Sequence, residues 1–224
     1  MPMLEFENIT KEYKRAGNVF NAVDSATFSV EAGDYINITG RSGSGKSTLL
    51  NMGAGLLHPT NGIIRFDGQD IYRMNNKEIS FFRNAKIGYV PQGQSLLSNY
   101  TVLDNVCIPW FLFPREGTPY EYAFSLLEKT GISHLMSSYP KELSGGELRR
   151  AAIARSLVNK PSLLIADAPV SDLDSETANE IMKHFRDIAN EGMGVIIVTH
   201  NNNLLSYGDK TYSMNEGKLT RSQL

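Results

Sequence analysis

One segment near the start of the chain combines glycines with a lysine and a serine at a fixed spacing. It runs from Gly40 to Ser47, reads Gly-Arg-Ser-Gly-Ser-Gly-Lys-Ser and fits the pattern G-x-x-x-x-G-K-[ST]. Glycines let backbone N–H groups converge on phosphate oxygens, and a helix that begins here adds its dipole. We therefore expect Lys46 to reach the β- and γ-phosphates of a nucleotide and the Ser47 hydroxyl to coordinate Mg²⁺. The alternative is a glycine-rich turn that only caps a helix, and the flanking strand and helix patterns argue against it.

A second group of candidate residues follows apolar runs further along the chain. The run Leu163-Leu164-Ile165-Ala166 ends in Asp167, a carboxylate that can orient a magnesium ion. Gln92 follows Val90-Pro91, and His200 follows Val198-Thr199. Ser-Gly-Gly-Glu at 144–147 opens a predicted helix; taken alone, it would be an ordinary helix N-cap with a flexible lead-in.

In their order along the chain, these motifs resemble those of the ABC ATPase family, and the resemblance covers nearly the whole chain. The segments SGSGKSTLLN, PTNGIIRFDG, IGYVPQ and TVLDNVCIP look more narrowly like the ATPases of the macrolide-exporter and lipoprotein-release type. A single such motif is weak support, whereas several in register rarely arise by chance. The matches are the Walker A loop Gly40–Ser47, the Q-loop Gln92, the signature Leu143–Glu147, the Walker B Asp167, the D-loop Ser171–Asp174 and the switch His200.

The resemblance implies a role for each matching residue within one chain. Tyr13 would stack on adenine, with a half-buried strand tyrosine as the alternative. Gln92 would contact Mg²⁺ or the attacking water, and His200 would contact the γ-phosphate. The implied metal ligands are Ser47, Gln92 and Asp167. The implied nucleotide-binding residues are Tyr13, Gly40, Arg41, Ser42, Gly43, Ser44, Gly45, Lys46, Ser47 and Thr48.

A further set is implied to act across a dimer interface, on the nucleotide that the other protomer holds. Glu147 stands where the family more often has glutamine. That change adds a negative charge near a phosphate and can tune the affinity. The set comprises Ser144, Gly145, Gly146, Glu147, Ser171 and Asp174.

Position 168 departs from the family pattern. After the Walker B aspartate the family carries a catalytic glutamate, whereas this sequence has Ala168 followed by Pro169. A methyl group can neither accept a proton nor orient a water, so we expect hydrolysis to be impaired by about 10²–10⁴-fold while ATP binding survives. Two explanations stay open: an engineered glutamate-to-alanine change that traps the ATP-bound dimer, which the intact Lys46, Gln92 and His200 favour, and a naturally degenerate subunit that pairs with an active one.

The elements that must position these residues follow from the hydrophobic pattern. Strands alternating with helices indicate an α/β fold, here a P-loop NTPase core with a parallel sheet and an N-terminal antiparallel β-subdomain. Residues 95–143, rich in aromatics, predict an inserted helical subdomain within a single ATPase domain of residues 1–224. Predicted strands cover 4–9, 26–30, 35–39, 63–66, 86–90, 162–166 and 195–198, with a turn at 16–18; predicted helices cover 46–57, 147–158 and 177–190.

Composition excludes several other classes of protein. With 22 basic and 24 acidic side chains, the net charge of −2 argues against nucleic-acid binding by bulk electrostatics. A single cysteine, Cys107, permits no internal disulfide and favours the cytosol. Residues 1–14 do not have the pattern of a signal peptide, and the most apolar stretch, Val106–Phe113, is shorter than the ~20 residues of a membrane-spanning helix.

Together these features predict an ATP-binding and ATP-hydrolysing subunit that works as an ATP-sandwiched homodimer. Its expected place is the cytoplasmic face of the cell membrane, beneath permease subunits of the four-span type. The alternative is an ATP-gated regulatory switch acting on a membrane partner. ABC ATPases of DNA repair need a coiled-coil or zinc-bearing insertion, and the sequence has neither heptads nor a Cys/His cluster. The stretch Trp110–Phe113 is interpreted as helical-subdomain core, with some residues facing the partner.

Overall fold

The computed structural model describes residues 1–15, 17–171 and 173–222, and within them the chain forms two β-sheets with helices packed against them. The strands are β1 Leu4–Arg15, β2 Asn18–Val30, β3 Tyr35–Thr39, β4 Asn61–Phe66, β5 Gln69–Asp70, β6 Ile87–Val90, β7 Leu163–Asp167, β8 Gly194–Val198, β9 Lys210–Asn215 and β10 Lys218–Ser222. The α-helices are α1 Lys46–Gly53, α2 Asn76–Lys86, α3 Val102–Phe111, α4 Tyr120–Lys129, α5 Gly145–Leu157 and α6 Ser175–Asn190.

The central sheet has the strand order β10-β9-β3-β8-β7-β6, and its inner strands β3, β8, β7 and β6 are short and mostly apolar. The strands β7 and β8 are buried along their whole length, as expected of parallel strands covered on both faces. The pairs β3–β8, β3–β9, β7–β8 and β6–β7 are parallel. The predicted α/β core is therefore confirmed. The hairpin β9–β10 extends it, and its antiparallel outer strand makes the sheet mixed.

The N-terminal sheet has the order β2-β1-β4-β5 and is antiparallel, as the sequence predicts. Leu4 pairs with Val30 and Phe6 with Phe28, so the apolar residues of the two strands share one face. The predicted turn at 16–18 joins these strands, and its first residue, Ala16, lies outside the described residues.

Alternate side chains of the central strands enter different apolar layers. Ile36 and Ile165 pack toward α1 and the N-terminal sheet. Leu164 and Ile197 pack toward the layer that holds the apolar side chains of α3, α4, α5 and α6. The strands are thereby fixed from both faces, and their carboxyl ends form a rigid edge.

The predicted helix over 46–57 is wrong at its end, because α1 stops at Gly53. Gly55 adopts a left-handed backbone (φ 69°), which ends the helix, and the N–H groups of Leu56 and Leu57 both return to the Asn51 carbonyl. The helices α3 and α4 occupy the segment between β6 and β7 in which the sequence predicts helices. The limits 95 and 143 of an inserted subdomain, and the single domain over 1–224, stay predictions.

Candidate functional site

The glycine-rich loop connects β3 to α1 and wraps around a buried lysine. Lys46 Nζ donates to the carbonyls of Gly40 (2.8 Å) and Arg41 (2.7 Å), which holds the side chain under the loop. Burial lowers the Lys46 pKa, and the carboxylate of Asp167 opposes that shift. A Cβ on Gly45 (φ 107°) would lie 1.9 Å from the Ala22 carbonyl oxygen, so only glycine fits at this position.

At the start of α1 the loop meets the end of β7. Ser47 Oγ donates to Asp167 Oδ2 at 2.5 Å, and Asp167 is buried. A hydroxyl and a carboxylate oxygen are the donor types that Mg²⁺ prefers, together with phosphate oxygens and water. Across the described ranges no cluster of three or more His, Cys, Asp or Glu side chains could hold an ion unaided. The Ser47–Asp167 pair would offer two oxygen ligands to a magnesium ion, and the other ligands would have to come from phosphate or water.

Three further side chains reach the same place from the ends of adjacent strands. Gln92 follows β6, Ala168 follows β7 and His200 follows β8, and all three line one cavity of about 330 Å³. Carboxyl ends of parallel strands meet at one edge of the sheet, which brings together residues that are far apart in the sequence. Of the predicted nucleotide-binding and catalytic residues, the cavity is lined by Tyr13, Ser42, Gly43, Gly45, Lys46, Ser47, Thr48, Gln92, Asp167, Ala168 and His200.

The remaining predicted loop residues lie just behind this surface. Gly40 and Arg41 present their carbonyls to the lysine, and the buried Ser44 lies with its hydroxyl 3.3 Å from Lys46 Nζ. A Cβ on Gly40 would lie 2.2 Å from the Met214 carbonyl oxygen, so this glycine allows the loop to approach β9. These residues shape the loop from inside.

The open end of the cavity has two aromatic side chains, and the sequence predicts only one of them, Tyr13. Tyr13 on β1 is paired in register with Phe20 on β2, and their ring centroids are 6.0 Å apart. Both side chains line the cavity and are exposed, Tyr13 by 39% and Phe20 by 47%. Phe20 was missed because its place depends on the hairpin register. Ala22, further along β2, also lines the cavity.

Ala168 stands at the wall between two cavities. It lines the first cavity and a neighbouring one of about 590 Å³, as does His200. Its backbone is left-handed (φ 49°), and its N–H donates to the Val198 carbonyl at 3.1 Å. A non-glycine residue in this conformation costs about 1–2 kcal/mol. The position therefore directs a Cβ toward the cavities, and that Cβ carries no functional group.

The predicted trans residues lie outside the first cavity, at the start of α5 and of α6. Ser144 is the exposed N-cap of α5, and Gly146 packs near Leu173, whose Cδ2 is 3.0 Å from a Cβ placed on that glycine. Asp174 caps α6 by accepting the N–H groups of Glu176 and Thr177, and the bond from Thr177 lowers its pKa. Asp172, which lies between Ser171 and Asp174 in the D-loop, is outside the described residues.

One predicted trans residue contacts the neighbourhood of the cavity within its own chain. Ser171 Oγ donates to the Ala168 carbonyl at 3.2 Å, and Ser171 lines the second cavity. The rest of the trans set, Ser144 to Glu147, lines neither cavity.

Two arginines of α5 fasten the segment that carries Gln92. Arg149, which is buried, donates through Nη1 to the Pro91 carbonyl at 2.7 Å. Arg155 donates to the Ser95 carbonyl at 2.8 Å and to its hydroxyl at 2.7 Å. The helix that begins with the signature residues is thus joined to the residues on both sides of Gln92.

A third cavity, of about 440 Å³, lies between α2, α3 and α5. Leu112 and Phe113 line it, and Phe111 and Leu112 are exposed by 59% and 64%. The stretch 110–113 was predicted to lie mostly in the core, but two of its residues are exposed and the other two are only partly buried.

This third cavity forms a groove beside α3, and hydrogen bonds between polar side chains hold its lining together. Arg115 donates to Asn84 Oδ1 at 2.6 Å and to Asn159 Oδ1 at 2.7 Å. Asn84 and Asn159 in turn donate to the carbonyl of Pro109, inside α3. The groove therefore has a fixed shape.

Among the described helices, none is both long enough and apolar enough to span a bilayer.

Comparison with known proteins agrees with the family resemblance of the sequence. The chain matches the family described as ABC transporter over residues 23–171. It is 38% identical over 222 residues to the lipoprotein-releasing system ATP-binding protein LolD of Bacteroides fragilis, covering 97% of this chain and 100% of that protein. It is 36% identical over 220 residues to the macrolide export ATP-binding/permease protein MacB of Rhodopirellula baltica, covering 96% of this chain and 32% of MacB.

Solved structures give the same result for the fold. A dimeric bacterial ABC transporter cassette superposes with a TM-score of 0.93 at 31% identity, covering 99% of this chain and 100% of that one. A dimeric ATP-binding cassette in a post-hydrolysis state, bound to ADP and Pi, superposes with a TM-score of 0.91 at 30% identity over the same shares.

Proposed function

This chain belongs to the ABC transporter family, and we propose that it is the ATP-binding and ATP-hydrolysing subunit that energises a membrane complex by closing as a dimer around Mg·ATP. One observation carries the proposal. Lys46, the Ser47–Asp167 pair, Gln92 and His200 converge on a single cavity of about 330 Å³ at the carboxyl edge of the central sheet. In this arrangement Lys46 binds the phosphates, Ser47 and Asp167 orient the ion, and the aromatic pair at the open end receives the base.

A dimer completes the site in this proposal. Ser144 and Gly145 are exposed and stand apart from the cavity of their own chain. From this exposed position they can reach the γ-phosphate that a second protomer holds, and a two-fold arrangement lets each protomer serve the other. The dimeric state of the related cassettes supports this part of the proposal.

The groove beside α3 is the site that we propose for the membrane partner. Leu112 and Phe113 supply apolar contact there, and the Asn84–Arg115–Asn159 network keeps the groove open before anything binds. Relatives named as an ATP-binding protein of a lipoprotein-releasing system and as an ATP-binding/permease protein support a permease partner, for which we propose the four-span type. The chain then works at the cytoplasmic face of the membrane.

Ala168 favours a second function, that of an ATP-gated switch. With a methyl group at the wall of the cavity, ATP can bind and close the dimer, and water is not activated by a carboxylate. The closed state then persists and holds the membrane partner in one conformation. A degenerate subunit paired with an active one would behave in the same way.

ATP-dependent dimerisation in light scattering tests the function. Ser144→Arg is expected to leave ATP binding by the monomer nearly unchanged and to abolish the dimer, because the long side chain covers the donors at the start of α5. Ser137→Arg is the matched control, since Ser137 is an exposed serine outside the signature. Normal ATP-dependent dimers of Ser144→Arg would contradict the trans site.

A further inference from the structure

The signature serine is already hydrogen-bonded to a carboxylate of its own helix. Glu147 Oε2 accepts the Ser144 N–H at 2.7 Å and the Ser144 hydroxyl at 2.8 Å. The Glu147 N–H returns to Ser144 Oγ at 3.4 Å, which completes a capping box. The hydroxyl hydrogen that a phosphate would need is thus donated to an anion inside the chain.

The surroundings of Glu147 keep this carboxylate charged. The hydrogen bonds from Ser144 lower the Glu147 pKa, desolvation opposes them, and the nearby charges of Arg150 and His134 add smaller lowering contributions. Ser144 and Gly145 remain exposed on the outer side of the same helix start. A phosphate that approaches from that side meets the Glu147 carboxylate within one turn of helix, and like charges at that separation repel.

We propose that Glu147 is an internal competitor for the Ser144 hydroxyl, which weakens the binding of the partner's nucleotide and raises the protein concentration at which ATP closes the dimer. This inference rests on the proposed function, because it concerns the dimer that ATP forms. Its premise is the charge of Glu147, because glutamine at the same place keeps the capping box and carries no charge. Glu147 would therefore set how readily closure occurs, in addition to starting α5.

Glu147→Gln separates this role from a purely structural one. The variant is expected to form ATP-dependent dimers at about tenfold lower protein concentration, since two such repulsive contacts are removed per dimer. Sedimentation velocity at a series of protein concentrations with saturating Mg·ATP measures the change. The difference from the unmodified chain should shrink as NaCl is raised, because salt screens exposed charges. Circular dichroism should still show a folded protein, since glutamine keeps the capping box.

Glu142→Gln is the matched control. Glu142 accepts the Tyr139 N–H at 2.6 Å five residues earlier in the chain, so the variant removes the same charge from a nearby part of the chain without touching Ser144. Its dimers should form at the same concentration as those of the unmodified chain. Equal behaviour of Glu147→Gln and the unmodified chain, or an equal gain in both variants, would overturn the competitor role and leave the proposed function standing. Absence of any ATP-dependent dimer in all three proteins would overturn both.

Discussion

The two halves of the proposed ATP site differ in how completely the chain builds them. The cavity at the carboxyl edge of the sheet is closed around buried Lys46 and Asp167, which are fixed by neighbouring backbone and side chains. The signature surface at the start of α5 is exposed, and its serine is hydrogen-bonded to Glu147. One half is ready for the nucleotide, whereas the other must exchange an internal hydrogen bond for an external one.

This difference indicates where each step of the cycle is controlled. Nucleotide binding relies on rigid elements and needs no partner. Closure relies on an exposed helix start whose present hydrogen bonds must be given up. In the proposed function, chemistry needs both halves together with a group that activates water, and we expect the methyl group of Ala168 not to supply that group. Variants that act on the cavity half alone test this separation of nucleotide binding from dimer closure.

Ala168→Glu is expected to have the largest effect, because it adds a missing catalytic group to a half that is otherwise complete. ATP hydrolysis should rise by about 10²–10⁴-fold, or roughly 3–5 kcal/mol of transition-state stabilisation. The position already has a left-handed backbone and adjoins cavities of about 330 and 590 Å³, so a longer side chain has room without further backbone strain. Steady-state phosphate release measures the gain.

Ala168→Gln is the control for that variant, since an amide of the same shape cannot accept the proton. Phosphate release by this variant should stay at the level of the unmodified chain. Phosphate release by Ala168→Glu that also stays at the level of the unmodified chain, with and without the membrane partner, would indicate a second defect. That result would favour a naturally degenerate subunit over an isolated loss at position 168.

Lys46→Ala attacks the prebuilt half directly. We expect the unmodified chain to bind Mg·ATP with a Kd of about 10⁻⁶–10⁻³ M. Loss of the lysine should weaken this by roughly 10²-fold, because charge-assisted hydrogen bonds to phosphate are lost. Isothermal titration calorimetry measures the affinity, and Lys77→Ala, at an exposed lysine of α2, is the control. Unchanged affinity in Lys46→Ala would remove the loop from the site.

Tyr13→Ala should have the smallest effect of the three, because the base lies at the open end of the cavity. Loss of one stacking partner should weaken ATP binding by about fivefold, while Phe20 still supports the base. Tyr13→Phe should bind ATP like the unmodified chain, since the ring alone is needed. If both variants bind alike and weakly, the tyrosine hydroxyl is involved and the stacking role is wrong.

Much of the prebuilt half could be predicted from sequence because its residues follow short, mostly apolar strands. The runs before Gly40, Gln92, Asp167 and His200 predict β3, β6, β7 and β8, and parallel strands place their carboxyl ends together. The predicted roles of these side chains stay predictions, because their positions alone do not test chemistry. The family resemblance, confirmed by the comparisons, supplied the order of the motifs.

What the sequence did not predict depends on contacts between distant segments. The strand β9 reads Lys-Thr-Tyr-Ser-Met-Asn, which lacks a clear apolar run, and it is identified only by its pairing with β3. Phe20 reaches the cavity through the register of β1 and β2. The interaction of Ser144 with Glu147 was not predicted either, although a serine followed three residues later by glutamate is a known capping signal.

The attachment of α5 to the Gln92 segment has a consequence for cooperativity. Arg149 and Arg155 join the residues around Gln92, which face the nucleotide of their own chain, to the helix whose first residues serve the partner's nucleotide. In the proposed dimer, this attachment would let occupancy of one site change the free energy of the other, and thermodynamic linkage would make that coupling reciprocal. Titration of the dimer with ATP should then give a Hill coefficient between one and two, set in part by two arginine side chains that touch neither nucleotide.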